Sequence, residues 1–127
     1  MSLPYHELTF VSNNNVEKPC LALYLHGGSS RGDDNQTQMG EAGVDSISNY
    51  LKAHHKNAIL LVPQCPSKGA WLGPAQSVLG TLIAQYVNDG KVDPKQIYVF
   101  GGSMGGTGTW GMLAAYPDLF AAAMPVA

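Results

Sequence analysis

The glycine-rich pentapeptide at residues 101–105, which reads Gly-Gly-Ser-Met-Gly, leaves few folds open to this chain. It directly follows the apolar run Ile-Tyr-Val-Phe, so the pattern predicts a short buried strand that turns sharply into a helix. A G-x-S-x-G sequence at such a junction is typical of a nucleophile elbow, whose strained turn holds the serine hydroxyl clear of the sheet. The flanking glycines let strand and helix approach without a side-chain clash. We therefore predict that Ser103 is a catalytic nucleophile.

Short apolar runs alternate with helical patterns along the rest of the chain. Strands are predicted at residues 21–25, 58–62, 97–101 and 120–126, with an antiparallel edge strand at residues 5–11. Helices are predicted at residues 44–55, 78–87 and 104–116. This alternation indicates an α/β fold, a parallel sheet with helices on both faces. The segments 26–38 and 63–74 are predicted to be irregular loops at the carboxyl ends of strands, where open α/β sheets bind ligands.

Composition narrows the choice of partners. The chain has 127 residues, of which 45% are hydrophobic and 13% charged, enough for one globular domain with its own core. A net charge of -2 without a basic stripe argues against nucleic acid as a partner. No apolar run is long enough to span a membrane, and the first residues lack the features of a signal peptide. We expect a cytoplasmic protein, unless an export signal has been removed.

Cofactor chemistry has little support in the sequence. Cys20 and Cys65 do not suggest a disulfide framework and are predicted to be buried free thiols. The histidines and cysteines show no metal-ligand spacing, so we predict neither a metal nor another cofactor. A G-x-G-x-x-G sequence at residues 106–111 raises the alternative of a dinucleotide site. It lies inside the predicted third helix, and no acidic residue follows at the required spacing, so we reject that alternative.

A second glycine motif, His-Gly-Gly at residues 26–28, follows the first predicted parallel strand. Attack of a serine hydroxyl on an ester builds negative charge on oxygen, and each positioned N–H donor stabilises that charge by roughly 3 to 4 kcal/mol. We predict an oxyanion hole formed by the backbone amides of Met104 and Gly28, with Gly27 or Ser29 as alternatives to Gly28. His26 should order this loop. Together His26, Gly27 and Trp71 are assigned to substrate binding, although packing explains Trp71 equally well.

These motifs resemble the α/β-hydrolase superfamily, and within it the phospholipase/carboxylesterase and dienelactone-hydrolase-like esterases. The similarity covers nearly all of the chain from Pro19 onward. It includes Leu-Tyr-Leu-His-Gly-Gly at residues 23–28, Pro-Gln-Cys-Pro at residues 63–66 and Val-Asp-Pro-Lys-Gln-Ile-Tyr-Val at residues 92–99. The resemblance implies a serine hydrolase whose expected substrates are carboxylic esters, with thioesters, lactones, peptides and polyesters as alternatives. It also implies a triad acid after the next strand and a triad histidine near the C-terminus.

No histidine follows Ser103. We therefore expect residues 1–127 to be the N-terminal part of a single α/β-hydrolase domain, ending after the strand that follows the elbow. One interpretation is that the full-length enzyme hydrolyses esters through Ser103, while the 127-residue chain is nearly inactive without its base. The alternative is a catalytically inactive half-domain that associates with itself. The apolar edge strand at residues 120–126 predicts a homo-oligomer for the isolated chain.

Overall fold

The computed structural model describes residues 2–12 and 17–126. Its sheet has five strands in the order β1-β3-β2-β4-β5. The strands are β1 (Tyr5–Phe10), β2 (Cys20–Leu25), β3 (Ala58–Pro63), β4 (Ile97–Gly102) and β5 (Ala122–Val126). β2 runs parallel to β3 and β4, and β4 runs parallel to β5, whereas β1 is antiparallel to β3. The predicted parallel sheet with an antiparallel edge strand is confirmed.

Helices cover both faces of this sheet, as the sequence predicts. They are α1 (Ala42–Ala53), α2 (Pro74–Asn88) and α3 (Met104–Ala115). On one face Val44 of α1 packs in a cluster with residues of β2 and β3. On the other face Leu79 of α2 and Met112 of α3 pack in a cluster with Leu21 and Leu25 of β2. None of the described helices is long and apolar enough to cross a membrane.

The central strands β2 and β3 are buried along their whole length. Full burial of one leucine side chain stabilises a fold by roughly 1.5 to 3 kcal/mol, so these strands form a rigid base. The loops that leave their carboxyl ends start from fixed positions. Cys20 at the start of β2 and Cys65 after the end of β3 are both buried and free, as predicted.

Helix boundaries differ from the predicted ones where the backbone conformation of one residue ends or begins the helix. α1 ends at Ala53 instead of residue 55, because His55 adopts a φ of 50°. α2 begins at Pro74 instead of residue 78, because Gly73 turns the chain with a φ of 60° and proline suits the first helical turn. Residues 106–111, the G-x-G-x-x-G sequence, lie inside α3.

The loop after β2 was expected to be irregular, and that prediction was wrong in part. It contains two short 3-10 helices, Gly28–Ser30 and Thr37–Gly40. Local backbone hydrogen bonds form them, such as the bond of 3.2 Å from the Ser30 amide to the Gly27 carbonyl. The loop is therefore ordered by its own turns as well as by its neighbours.

Candidate active site

Ser103 occupies the junction between β4, which ends at Gly102, and α3, which begins at Met104. Its φ of 56° lies in the left-handed region, which a residue with a side chain adopts only at a cost. The side chain is exposed. The Ser103 amide donates to the Val126 carbonyl at 2.9 Å, so the turn is also tied to the end of β5. The strand, turn and helix predicted from residues 97–105 are thus all present.

Glycines beside the turn let β2, β4 and α3 come together. A Cβ on Gly105 would overlap the carbonyl oxygen of Leu25 and lie 2.7 Å from its carbonyl carbon. A Cβ on Gly101 would lie 2.5 Å from the carbonyl carbon of Gly105. The overlapping atoms belong to the backbone and cannot rotate away. Glycine is therefore required at both positions for this close approach.

The loop after β2 faces Ser103 across the carboxyl edge of the sheet. β2 and β4 are parallel neighbours, with Leu25 paired to Gly101. A Cβ on Gly27 would lie 3.8 Å from the Cβ of Ser103. The structure thus brings the His-Gly-Gly motif next to the G-x-S-x-G motif, as the sequence prediction requires.

Some backbone amides at the carboxyl edge of the sheet already have a hydrogen-bond acceptor, and others lie at the start of a helix. The Gly27 amide donates to Oε2 of Glu41 at 3.0 Å, and the Ser30 amide donates to the Gly27 carbonyl. Gly28 begins a 3-10 helix and Met104 begins α3. The first amides of a helix have no acceptor within it. Of the alternatives considered for the second oxyanion donor, the Gly27 amide is therefore already committed.

His26 is completely buried behind this loop. The Cys65 amide donates to Nε2 at 2.8 Å, so Nε2 carries no proton. Nδ1 is then the protonated nitrogen, and it donates to the Gly27 carbonyl at 2.6 Å. Burial lowers the pKa of His26, which favours the neutral ring that this arrangement needs. His26 joins the loop after β2 to the loop after β3.

Trp71 completes this connection and is only 1% exposed. Its Nε1 donates to the His26 carbonyl at 2.9 Å, and the two rings pack edge to face with centroids 4.9 Å apart. A Cβ on Gly108 of α3 would overlap the Trp71 side chain, so glycine makes room for it. His26 and Trp71 were assigned to substrate binding from sequence. The structure seals both side chains from solvent, so they can affect a substrate only through the loops that they hold.

Glu41 is the site residue that sequence reasoning missed. Its Oε1 accepts a hydrogen bond from the Tyr24 hydroxyl at 2.6 Å. Its Oε2 accepts from the Gly27 amide at 3.0 Å and from Oγ of Ser30 at 2.5 Å. A lone acid ahead of a helix is the only sequence signal, and that signal also fits an ordinary helix cap. Glu41 therefore binds the loop that faces Ser103.

Two further side chains fasten the same loop to the loop after β3. Gln64 is completely buried, and its Nε2 donates to the Ser30 carbonyl at 3.1 Å. Arg31 donates from Nε to the Gly28 carbonyl at 3.1 Å and from Nη1 to the Gly69 carbonyl at 3.0 Å.

Within residues 2–12 and 17–126, no group of three or more His, Cys, Asp or Glu side chains is placed to hold a metal ion.

Three solved structures are similar to nearly all of this chain. A thermostable esterase has 31% sequence identity, and the match covers 97% of this chain with a TM-score of 0.85. Acetyl xylan esterase from Aspergillus awamori has 22% identity over 94% of the chain, with a TM-score of 0.69. The substrate-bound fluorophosphonate-binding serine hydrolase F from Staphylococcus aureus has 18% identity over 98% of the chain, with a TM-score of 0.64.

This chain covers 36%, 45% and 57% of those three proteins, less than two thirds of each. The model of the prolyl oligopeptidase family matches residues 81–127, which include the elbow. No curated protein matches the chain by sequence.

Proposed function

We propose that Ser103 is the nucleophile of a serine hydrolase of carboxylic esters. The premise of this proposal is that the chain belongs to the α/β-hydrolase superfamily. The observation that carries this proposal is the strained, exposed Ser103 facing the loop of Gly27 at the carboxyl ends of parallel strands. The thermostable esterase, at 31% identity, supports the class of reaction. The proposed substrate is a small-molecule ester.

In the proposed reaction, Oγ of Ser103 attacks the ester carbonyl carbon, and the carbonyl oxygen becomes an oxyanion. The amides of Met104 and Gly28 donate to that oxygen, each contributing roughly 3 to 4 kcal/mol. We prefer Gly28 to Gly27 because the Gly27 amide is bound to Glu41, and Ser29 stays the alternative donor. The tetrahedral intermediate then expels the alcohol and leaves an acyl-serine, which water hydrolyses. Both steps need a base that takes a proton from the nucleophile and returns it to the leaving group.

The four histidines of the chain are poorly placed to be this base. Nε2 of His26 is occupied by the Cys65 amide. Nε2 of His6, on the edge strand β1, lies 2.5 Å from the Asn35 carbonyl. His54 and His55 follow the end of α1, where Leu51 packs with Cys20 at the start of β2 rather than at its carboxyl end. We propose that the triad acid and histidine belong to a longer protein, and that the 127-residue chain alone is nearly inactive.

Hydrolysis of p-nitrophenyl acetate and labelling by a fluorophosphonate probe test this proposal. Both are measured in the natural full-length protein and in the 127-residue chain, each with Ser103→Ala. Ser77→Ala, an exposed position on α2, is the matched control. We expect Ser103→Ala to lower turnover of the full-length protein by several orders of magnitude and to abolish labelling, while Ser77→Ala changes neither.

Activity of the full-length protein that survives Ser103→Ala would overturn the mechanism. Robust turnover by the short chain, abolished by Ser103→Ala, would instead place a base within these 127 residues or on another copy. That result would contradict the expected inactivity of the isolated chain.

Self-association is a second candidate property, favoured by β5. This strand lies at the edge of the described sheet, and Met124 and Val126 are 58% and 52% exposed. Unpaired apolar edges bind further strands. Light scattering of the 127-residue chain should report a dimer or larger assembly, and Met124→Lys should shift it towards monomer. A clean monomer of the unmodified chain at high concentration is incompatible with this candidate.

A further inference from the structure

The Glu41 carboxylate lies at the meeting point of three hydrogen-bond donors. Two of them, the hydroxyl groups of Tyr24 and Ser30, belong to side chains that are 7% and 4% exposed. Burial and the neighbouring carboxylate raise the pKa of Tyr24, so its hydroxyl stays protonated and donates. The third donor is the Gly27 amide. The two carboxylate oxygens of Glu41 therefore accept three hydrogen bonds, and one of these comes from the backbone of the loop after β2.

The position of Glu41 directly before α1 suggests that its side chain caps this helix, but it does not. It is the residue before the first turn of α1, where a side chain normally accepts a hydrogen bond from an amide of the helix. Among the described residues, its side chain makes no such bond to α1. Glycine at position 43 of α1 leaves space for the Tyr24 ring, whose hydroxyl donates to Glu41. A Cβ on Gly43 would lie 2.6 Å from Cε1 of Tyr24. The carboxylate therefore binds the loop after β2 rather than capping its own helix.

That loop separates the carboxylate from the proposed nucleophile. A Cβ on Gly27 would lie 3.7 Å from Oε2 of Glu41 and 3.8 Å from the Cβ of Ser103. Glu41 thus holds the residue that precedes Gly28, the proposed oxyanion donor. Such a donor acts at about 2.7 to 3.1 Å from the oxyanion, so small movements of the loop have large consequences. A misplacement of about 1 Å can lower a rate roughly a hundredfold.

We infer that Glu41 is a positioning residue of the oxyanion hole, whose carboxylate fixes residues 27–30 so that the Gly28 amide points at the reacting carbonyl oxygen. This inference rests on the proposed esterase function. Glu41 acts through the loop and does not need to contact the substrate. The effect should therefore fall on kcat rather than on KM, because an oxyanion donor acts most strongly in the transition state.

The role requires hydrogen-bond acceptors, and it does not require the negative charge. A negative charge near a developing oxyanion is itself unfavourable. In Glu41→Gln the amide oxygen still accepts from Gly27 and Ser30, and the amide NH2 group can donate to the Tyr24 hydroxyl oxygen. Glu41→Ala removes all of these contacts. We expect the Gln variant to keep kcat within about threefold and the Ala variant to lose roughly 10- to 100-fold, with KM changed less than about threefold.

The experiment measures kcat and KM for p-nitrophenyl acetate in the natural full-length protein, with kcat expressed per serine labelled by fluorophosphonate. This normalisation removes any loss caused by misfolded molecules. Asp45→Ala is the matched control, because Asp45 is an exposed acid in the first turn of the same helix. It should leave both constants unchanged. Ser103→Ala in the same protein tests the proposed function separately.

The inference is overturned if Glu41→Ala keeps the unmodified kcat, or if Glu41→Gln loses as much kcat as Glu41→Ala. Either result leaves the proposed function intact as long as Ser103→Ala is inactive. Activity of Ser103→Ala would instead remove the proposed function. If Glu41→Ala does not fold, Ser30→Ala decides, since it deletes one donor to the carboxylate. A severalfold loss of kcat per labelled serine supports the inference, and an unchanged kcat overturns it.

Discussion

Replacing Gly105 by alanine should destabilise the protein and slow the proposed ester hydrolysis at the same time. The new Cβ would overlap the carbonyl oxygen of Leu25 and lie 2.9 Å from the carbonyl oxygen of His26. Both oxygens belong to backbone at the carboxyl end of β2, where the sheet is fully buried. Relief of the overlap requires α3 to move away from β2. Because Ser103 lies on one side of this contact and the His-Gly-Gly loop on the other, the movement separates the two halves of the proposed site.

The magnitude follows from two opposing effects. Alanine gains up to about 1 kcal/mol over glycine in a helix. Overpacking typically costs about 1 to 3 kcal/mol, and backbone overlap belongs at the upper end of that range or above it. We expect a net loss of about 2 kcal/mol or more in the free energy of unfolding. A shift of about 1 Å between Ser103 and the loop would lower kcat by roughly a hundredfold.

Gly111→Ala in the same helix is the matched control. Its Cβ would lie 2.5 Å from Nε2 of Gln76, the end of a flexible side chain that can move aside. The helix-propensity gain then remains, so stability should stay the same or rise by up to about 1 kcal/mol. Urea unfolding followed by tryptophan fluorescence, to which buried Trp71 and exposed Trp110 both contribute, measures stability, and p-nitrophenyl acetate kinetics measure kcat. If Gly105→Ala matches the unmodified protein in stability and kcat, the close approach inferred at the elbow is incorrect.

Two further predictions concern the buried side chains behind the loop. Burial lowers the folded-state pKa of His26 below its ordinary value of 6.5, so its contribution to stability is complete above about pH 6.5 and is lost as pH falls towards the folded pKa. The urea midpoint should therefore fall more steeply from about pH 7 to pH 5 in the unmodified protein than in His26→Gln, and equal slopes would contradict this assignment. Trp71→Phe deletes the donor to the His26 carbonyl and should lower the free energy of unfolding by about 1 to 3 kcal/mol; a loss below about 0.5 kcal/mol would show that this bond contributes little.

Much of the fold could be predicted because its signals are local. The run at residues 97–105 contains strand, turn and helix within one short stretch, and the structure reproduces that order. The buried strands β2 and β3 read as uninterrupted apolar segments. Boundaries were less accurate because individual residues set them, such as Gly73 before α2. At the start of the 3-10 helix Thr37–Gly40, the Asp34 carboxylate accepts a hydrogen bond from the Thr37 amide at 3.2 Å. Apolar periodicity does not predict a bond of this kind.

Some residues of the candidate site could likewise be proposed from the sequence, and others could not. Ser103, Met104 and Gly28 could be proposed from the sequence because each belongs to a motif of adjacent residues, and because the roles proposed for Met104 and Gly28 use only backbone amides. The places of His26 and Trp71 depend on a contact between two loops that are 45 residues apart. Glu41 and Gly27 are 14 residues apart, and no periodic pattern connects them. Contacts of this kind arise only when the sheet brings its loops together.

A common principle connects the side chains behind the loop. His26, Trp71, Gln64 and Glu41 all hydrogen-bond to backbone atoms of residues 26–30. Leaving one such buried group unsatisfied costs about 1 to 3 kcal/mol, so the loop cannot relax towards water without breaking bonds that have no replacement. In the proposed mechanism the Gly28 amide is thereby held in place before any substrate arrives, which is the condition under which N–H donors stabilise an oxyanion most effectively. Substitutions behind the loop should therefore lower kcat with little effect on KM, whereas a residue that contacts the substrate in its ground state would change KM.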